Sequence, residues 1–180
     1  MEAIKTAENE TAKLSLFIDE CGDSPRDWDN LGVMVCWHNH YDLGDKHNFD
    51  SPADFQEWAK DHKMVILPLY LYDHSGITMS TGPFACPWDS GQVGWIYCEH
   101  ETILKEYGGH RVGAKRKQRV TELLIGEVDT YDKYLRGEVY GFELETWKDG
   151  VVDSCWGFYD IEDIKGHIPD EYATLVDELA

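Results

Sequence analysis

The sequence predicts an α+β fold, an antiparallel sheet of about five or six strands with helices packed on one side. Three observations carry that expectation. Apolar or alternating runs of strand length recur at residues 14–18, 31–37, 64–72 and 92–98. A long stretch of helical period covers about residues 114–135, with Val120, Leu123, Leu124, Val128, Tyr131 and Leu135 on one stripe. Two further strand-like runs, 138–147 and 151–159, flank Lys148-Asp149-Gly150, and Asp-Gly is a strong tight-turn signal. A chain of 180 residues with 42% hydrophobic and 13% aromatic content can bury a full core, so a single domain, 1–180, is expected.

In chain order, residues 1–12 are polar and expected to fray. Leu14, Leu16 and Ile18 then alternate with Lys13, Ser15 and Asp19, although Phe17 interrupts the period. The run Leu31-Gly32-Val33-Met34-Val35-Cys36-Trp37 is continuous and apolar, which suits a buried strand. A helix should begin at Pro52, capped by Ser51 with Asp54 three residues on, and bury Phe55, Trp58 and Ala59. Between the strands at 64–72 and 92–98 lies a loop dense in Gly, Pro, Ser and Asp. It also carries Ile77, Met79, Phe84 and Trp88, so it is expected to be ordered, with Phe84 and Trp88 packed on the domain. A packed Trp88 would make Trp88→Ala cost about 3 kcal/mol. A short helix at 99–107 should stop at Gly108-Gly109, and Gly126 marks where the long helix would break. An Asp149-Gly150 turn would set Phe142 opposite Gly157 and Leu144 opposite Cys155, on a buried face with Tyr140 and Tyr159. Short helices near 161–165 and 169–179 close the chain.

Charge is the strongest compositional signal: 35 acids against 16 bases leave a net −19. Residues 1–60 carry net −8, residues 61–126 net 0, and residues 127–180 net −11. Such a field repels nucleic acid and anionic membrane and steers basic surfaces inward, so no direct nucleic-acid or membrane partner is expected. Acidity for solubility is the plainer alternative. No apolar run approaches membrane-spanning length and no leader pattern opens the sequence, so a cytoplasmic protein is expected. The five cysteines are odd in number and form no C-x-x-C pair, which argues for reduced thiols.

Three clusters offer chemistry. His38, His40 and Asp42 would share one face of an extended segment, and with His47 they make an alternative metal set. The spacing matches no established metal motif, and a solvated His/Asp loop is the ordinary reading. Asp73-His74-Ser75 has the residue types of a hydrolytic triad, but a triad is built by spatial rather than sequential neighbours, and turn chemistry explains the triplet as well. The basic run His110, Arg111, Lys115, Arg116, Lys117 and Arg119 reads as a solvated helix start, with a phosphate contact as the alternative. Nucleotide-binding and hydrolase motifs with known mechanics are absent. Trp28, Trp88, Tyr97, Trp147 and Trp156 exceed what a core of this size must hold and are interface candidates.

At Arg26-Asp27-Trp28-Asp29-Asn30-Leu31-Gly32 with Met34-Val35-Cys36-Trp37-His38, and again over 67–98, the chain resembles the small acidic proteins of phages, prophages and conjugative elements of gut bacteria. The resemblance covers about residues 14–160, and Cys86-Pro87-Trp88-Asp89-Ser90-Gly91-Gln92-Val93-Gly94-Trp95-Ile96-Tyr97-Cys98 is its most specific part. It implies an anti-defence function, an anti-CRISPR inhibitor of an RNA-guided nuclease, with no catalytic residue to carry over. With the charge, it leads to a non-enzymatic inhibitor that sets an acidic, aromatic-bearing surface in a basic nucleic-acid channel. Trp88, Asp149, Glu162 and Asp163 are the expected partner contacts, and no cofactor is expected. A small metal-dependent hydrolase using the 38–50 cluster, and a sponge cradling a nucleotide signal in residues 75–94, are the competing readings.

Overall fold

Two antiparallel sheets of four strands each stand where the sequence predicts one sheet of five or six; the α+β class is as expected. The computed structural model describes residues 2–180. It divides into two compact units, one of Met1–Asp23 with Arg136–Ala180 and the other of Ser24–Leu135.

The discontinuous unit holds β1 (Lys5–Glu8), β2 (Ala12–Ile18), β7 (Tyr140–Thr146) and β8 (Gly150–Phe158), in that spatial order. β1 lies inside the segment expected to fray. Its four residues are too few to show a period, and it exists by pairing with β2, Lys5 opposite Leu16 and Ala7 opposite Leu14. β2 joins β7 with Leu14 opposite Leu144 and Leu16 opposite Phe142, so the two ends of the chain share one sheet. Leu14, Leu16, Phe142, Leu144 and Phe158 form one buried face with Ile164, Ile168 and the α4 (Ala173–Leu179) residues Leu175, Val176 and Leu179.

The register of the β7–β8 hairpin differs from the expected one. Thr146 faces Gly150, so the loop is the three residues 147–149, and Gly150 takes the left-handed conformation (φ 76°) that ends such a loop. An irregularity between Leu144 and Glu145 then places Leu144 opposite Asp153 and Phe142 opposite Cys155, and a second follows between Gly141 and Tyr140. An Asp-Gly pair marks a turn, but here Gly150 closes the loop instead of standing at its centre, and that offset moves the register. On the other face Trp156 lies flat over Gly141: a Cβ there would meet the indole at 1.9 Å, and the ring continues to Phe17 at 5.6 Å between centroids.

The continuous unit holds β3 (Val33–Cys36), β4 (Met64–Asp73), β5 (Ile77–Ser80) and β6 (Ser90–Glu99), in the order β3-β6-β4-β5. β5 is the second unforeseen strand, cut from the loop after β4 by Ser75 (φ 59°) at the turn. Helices cover both faces of this sheet rather than one. On one face Met34, Leu69, Leu71, Ile96 and Cys98 meet Ile103 of α2 (His100–Tyr107) and Val120, Leu124, Val128 and Tyr131 of α3 (Ala114–Leu135). On the other, Val35, Trp95 and Tyr97 meet Phe55 and Trp58 of α1 (Pro52–Lys60). α3 runs unbroken through Gly126, because packing on this stripe outweighs the glycine's cost of about 1 kcal/mol. α1 starts as predicted, with Asp54 N–H donating to Ser51 Oγ at 3.2 Å. In return Asp54 Oδ2 accepts from Asp50 N–H rather than from that of the cap residue.

One side chain ties the irregular parts of this unit together. Arg26, on a short 3-10 turn Pro25–Asp27, donates through Nε and Nη2 to both oxygens of Asp45 (2.8 and 2.7 Å), through Nη1 to Glu127 of α3 (3.2 Å), and to the Gly32 carbonyl (2.7 Å). The carboxylates are bonded further: Asp45 accepts from Met34 N, and Glu127 accepts from Leu31 N and Gly32 N. Gly32 has no room for a side chain, since a Cβ would lie 2.4 Å from Leu124 Cδ2. The Arg26 side chain is 5% exposed, and removing one partner of such a group strands the others. Arg26→Ala should therefore cost about 3 kcal/mol in urea unfolding, and Arg26→Lys a smaller but clear amount, because an ammonium cannot reproduce the fork. A midpoint for either variant equal to that of the parent would show the clamp to be dispensable.

Candidate partner-binding site

The residues singled out in the sequence fall in two places. Trp88 lies in the continuous unit; Asp149, Glu162 and Asp163 lie in the discontinuous one.

In the continuous unit, the segment after β3 and the loop between β5 and β6 line a cleft of about 460 Å³ with Trp37, His38, His40, Asp73, Trp88 and Asp89 among its walls. Trp88 is 92% exposed, which overturns the expectation that it packs on the domain. The loop is ordered by other residues: Phe84 sits 5.7 Å from the Tyr72 ring, Ser90 Oγ donates to the Cys86 carbonyl, and Asp73 N donates to the Asp89 carbonyl at 2.8 Å. With these in place the indole is carried outward, and nothing in a Trp's composition tells which aromatic of a loop faces in.

The metal alternative does not assemble. Residues 37–42 bend instead of extending, with His38 Nδ1 accepting from His40 N and Tyr41 N at 3.2 and 3.3 Å. His38 stacks on Tyr41 at 4.9 Å, and His47 Nε2 reaches the Cys36 carbonyl at 3.1 Å. Among the described residues no group of three or more His, Cys, Asp or Glu side chains could hold a metal. Asp73-His74-Ser75 is not a triad either. Asp73 accepts from the Tyr41 hydroxyl at 3.2 Å, and His74 Nδ1 approaches Asp89 at 3.3 Å. Desolvation and then the Asp73 carboxylate raise the Tyr41 pKa, which keeps that hydroxyl a donor. Burial pushes Cys36 up to about 12 and Cys98 up to about 11, so both are protonated thiols of the core; Cys21 is exposed.

In the discontinuous unit, Asp149 is exposed at the hairpin tip, its N–H donating to Thr146 Oγ1 at 3.1 Å. Glu162 and Asp163 are exposed on the 3-10 segment Ile161–His167. Their charges are not equally available. Lys165 pairs with Glu162 at 2.6 Å and with Asp177 at 2.5 Å, whereas among the described residues neither Asp149 nor Asp163 is in an ion pair. Two residues before Asp149, Trp147 is 52% exposed yet pinned by its Nε1–H to the Asn9 carbonyl at 3.1 Å. Trp28 and Trp156 are exposed too, as expected of interface candidates, but Tyr97 is buried under α1.

Compared with protein-family models, with curated proteins and with solved structures, the chain matches none. No helix among the described residues is long and apolar enough to cross a membrane.

A side chain that touches so little of its own protein contributes little to folding. Trp88→Ala should shift the thermal midpoint by no more than a surface substitution does, about 0.5 kcal/mol in stability. A loss near the 3 kcal/mol of a packed aromatic would return Trp88 to the core.

Proposed function

We propose that the protein is a non-enzymatic anti-defence inhibitor of a mobile genetic element, acting in the host cytoplasm on a nuclease with a basic nucleic-acid channel, of the RNA-guided CRISPR class that the sequence resemblance implies. One observation carries this reading. The two acidic flanks, 112 residues apart in sequence, fold together: residues 1–23 and 136–180 hold 18 acids and 5 bases, a net −13 on 68 residues, and Ser24–Leu135 holds the remaining −6. Acid kept for solubility alone has no need to gather in one unit. Gathered, it offers Lys and Arg of a channel a dense set of carboxylates in place of phosphates. Asp149 and Asp163 contribute uncommitted charge, Trp147 contributes aromatic area two residues from Asp149, and Trp88 is an anchor for a partner of the continuous unit.

Neutralising this surface separates charge from fold. Asp149→Asn with Asp163→Asn should slow association with a purified RNA-guided nuclease and flatten its salt dependence, while the unfolding transition stays in place. Glu162→Gln should do less, because Lys165 already compensates that carboxylate. Target nucleic acid loaded first should block inhibition. Inhibitor and nucleic acid bound side by side without interference, or unchanged association by the double variant across salt, would remove the channel reading.

A further inference from the structure

One concavity of the continuous unit has the opposite sign to the protein as a whole. It is a groove of about 920 Å³ where α2 ends and α3 begins, lined by Tyr107, Arg111, Lys115, Arg116, Arg119 and Glu122 among others. Five of the chain's 16 Lys and Arg fall within residues 111–119, and no acid occurs between Glu106 and Glu122. Several bases elsewhere are paired with carboxylates, as in Lys13–Glu145, Arg26–Asp45 and Lys165–Asp177. Among the described residues none of Arg111, Lys115, Arg116, Lys117 or Arg119 is in an ion pair, although 35 acids are available to the chain.

Two of the guanidinium groups are nevertheless held in place. Arg116 Nη1 donates to the Gly108 carbonyl at 2.6 Å, and Arg119 lies over the Tyr107 ring, 5.2 Å from its centroid. The loop that receives Arg116 has to be glycine: Gly108 and Gly109 both have left-handed φ, 69° and 92°. The field of this region reaches its neighbours, since burial first, and then Lys117 and Lys63, lower the His100 pKa. Fixed, uncompensated guanidiniums with donors left over are suited to forked hydrogen bonds with phosphate oxygens, and a guanidinium plane is a stacking surface for a base. The volume lies within the range of about 300–1,000 Å³ that small-molecule sites occupy, and a long duplex would meet the repulsion of a chain carrying −19.

We propose that this groove binds a nucleotide-sized phosphate ester, with Arg111, Lys115, Arg116 and Arg119 holding the phosphates. The proposal stands apart from the channel reading, since it concerns other residues and a ligand of opposite charge to a basic protein surface. Whether the ester is a free nucleotide or the end of a single strand is a matter of source, and the test has an arm for each.

Isothermal titration of the full chain with ATP, with a 5′-phosphorylated trinucleotide, with inorganic phosphate and with a polyglutamate peptide examines it directly. ATP or the trinucleotide should bind, with the tighter of the two naming the source, and raising salt from about 50 to about 200 mM should weaken binding several-fold. Arg116→Gln with Arg119→Gln should lower the affinity about tenfold or more, as loss of charge-assisted bonds implies, with an unchanged circular dichroism spectrum. Should that pair fail to fold, Arg111→Gln with Lys115→Gln, which disturbs no internal bond described above, must show the loss instead. Failure of both nucleotides to bind, equal binding by a folded variant, or binding of inorganic phosphate or polyglutamate as tight as that of the nucleotides would overturn the assignment.

Discussion

The Arg26 clamp is the interaction on which the continuous unit depends. Sheet and helices can be assembled from apolar stripes alone, but the 3-10 turn before β3 and the segment that returns to Asp45 have few apolar residues to hold them. A guanidinium with five donors can satisfy two carboxylates and a carbonyl at once, and each carboxylate then fixes backbone N–H groups of the chain entering β3. Burial makes this arrangement all or none. A partly satisfied set would leave charge in a poorly solvated place, so the network favours one geometry over its neighbours rather than adding much net stability. The segment running from β3 to the cleft beside Trp88 inherits its position from that geometry, because Asp45 N also bonds the Met34 carbonyl.

Sequence pattern was enough for the elements that pack by period. β2, β3, β4, β6, α1 and α3 lie within a few residues of where the apolar spacing puts them, since each buries a stripe that a single segment displays. What could not be read depends on pairing that a single segment does not display. β1 and β5 are four residues long and become strands only beside β2 and β4. The division into two sheets follows from Leu14 meeting Leu144 across the length of the chain, and no local period encodes that choice. At the candidate site the residue types were legible and their directions were not. Trp88 turns outward because Phe84 and Ser90 settle the loop, His38 is spent on its own turn, and Glu162 is engaged by a lysine three residues on. Arg26, one of three bases among the first 40 residues, looked like any charged residue of an acidic stretch, and only the fold shows it to be buried.

A net charge of −19 conceals two surfaces of different character. Acid accumulates in the unit built from the chain ends, and unpaired base accumulates around the start of α3. At physiological ionic strength fields fade over about 8 Å, so a ligand that reaches either surface meets the local groups and not the average.

The shared sheet of the chain ends also sets an order of events during synthesis. β2 emerges early but has no partner on its long side until β7 is made, more than 120 residues later, whereas Ser24–Leu135 has all of its strands and helices by the time α3 is complete. Closing a flexible loop of 112 residues would cost about 4 kcal/mol of chain entropy, and an insert that has already folded removes most of that freedom beforehand. The acidic unit is therefore the last part of the chain to mature. A truncated product that stops short of β7 would carry β2 as an open, largely apolar edge, a substrate for proteases and for aggregation.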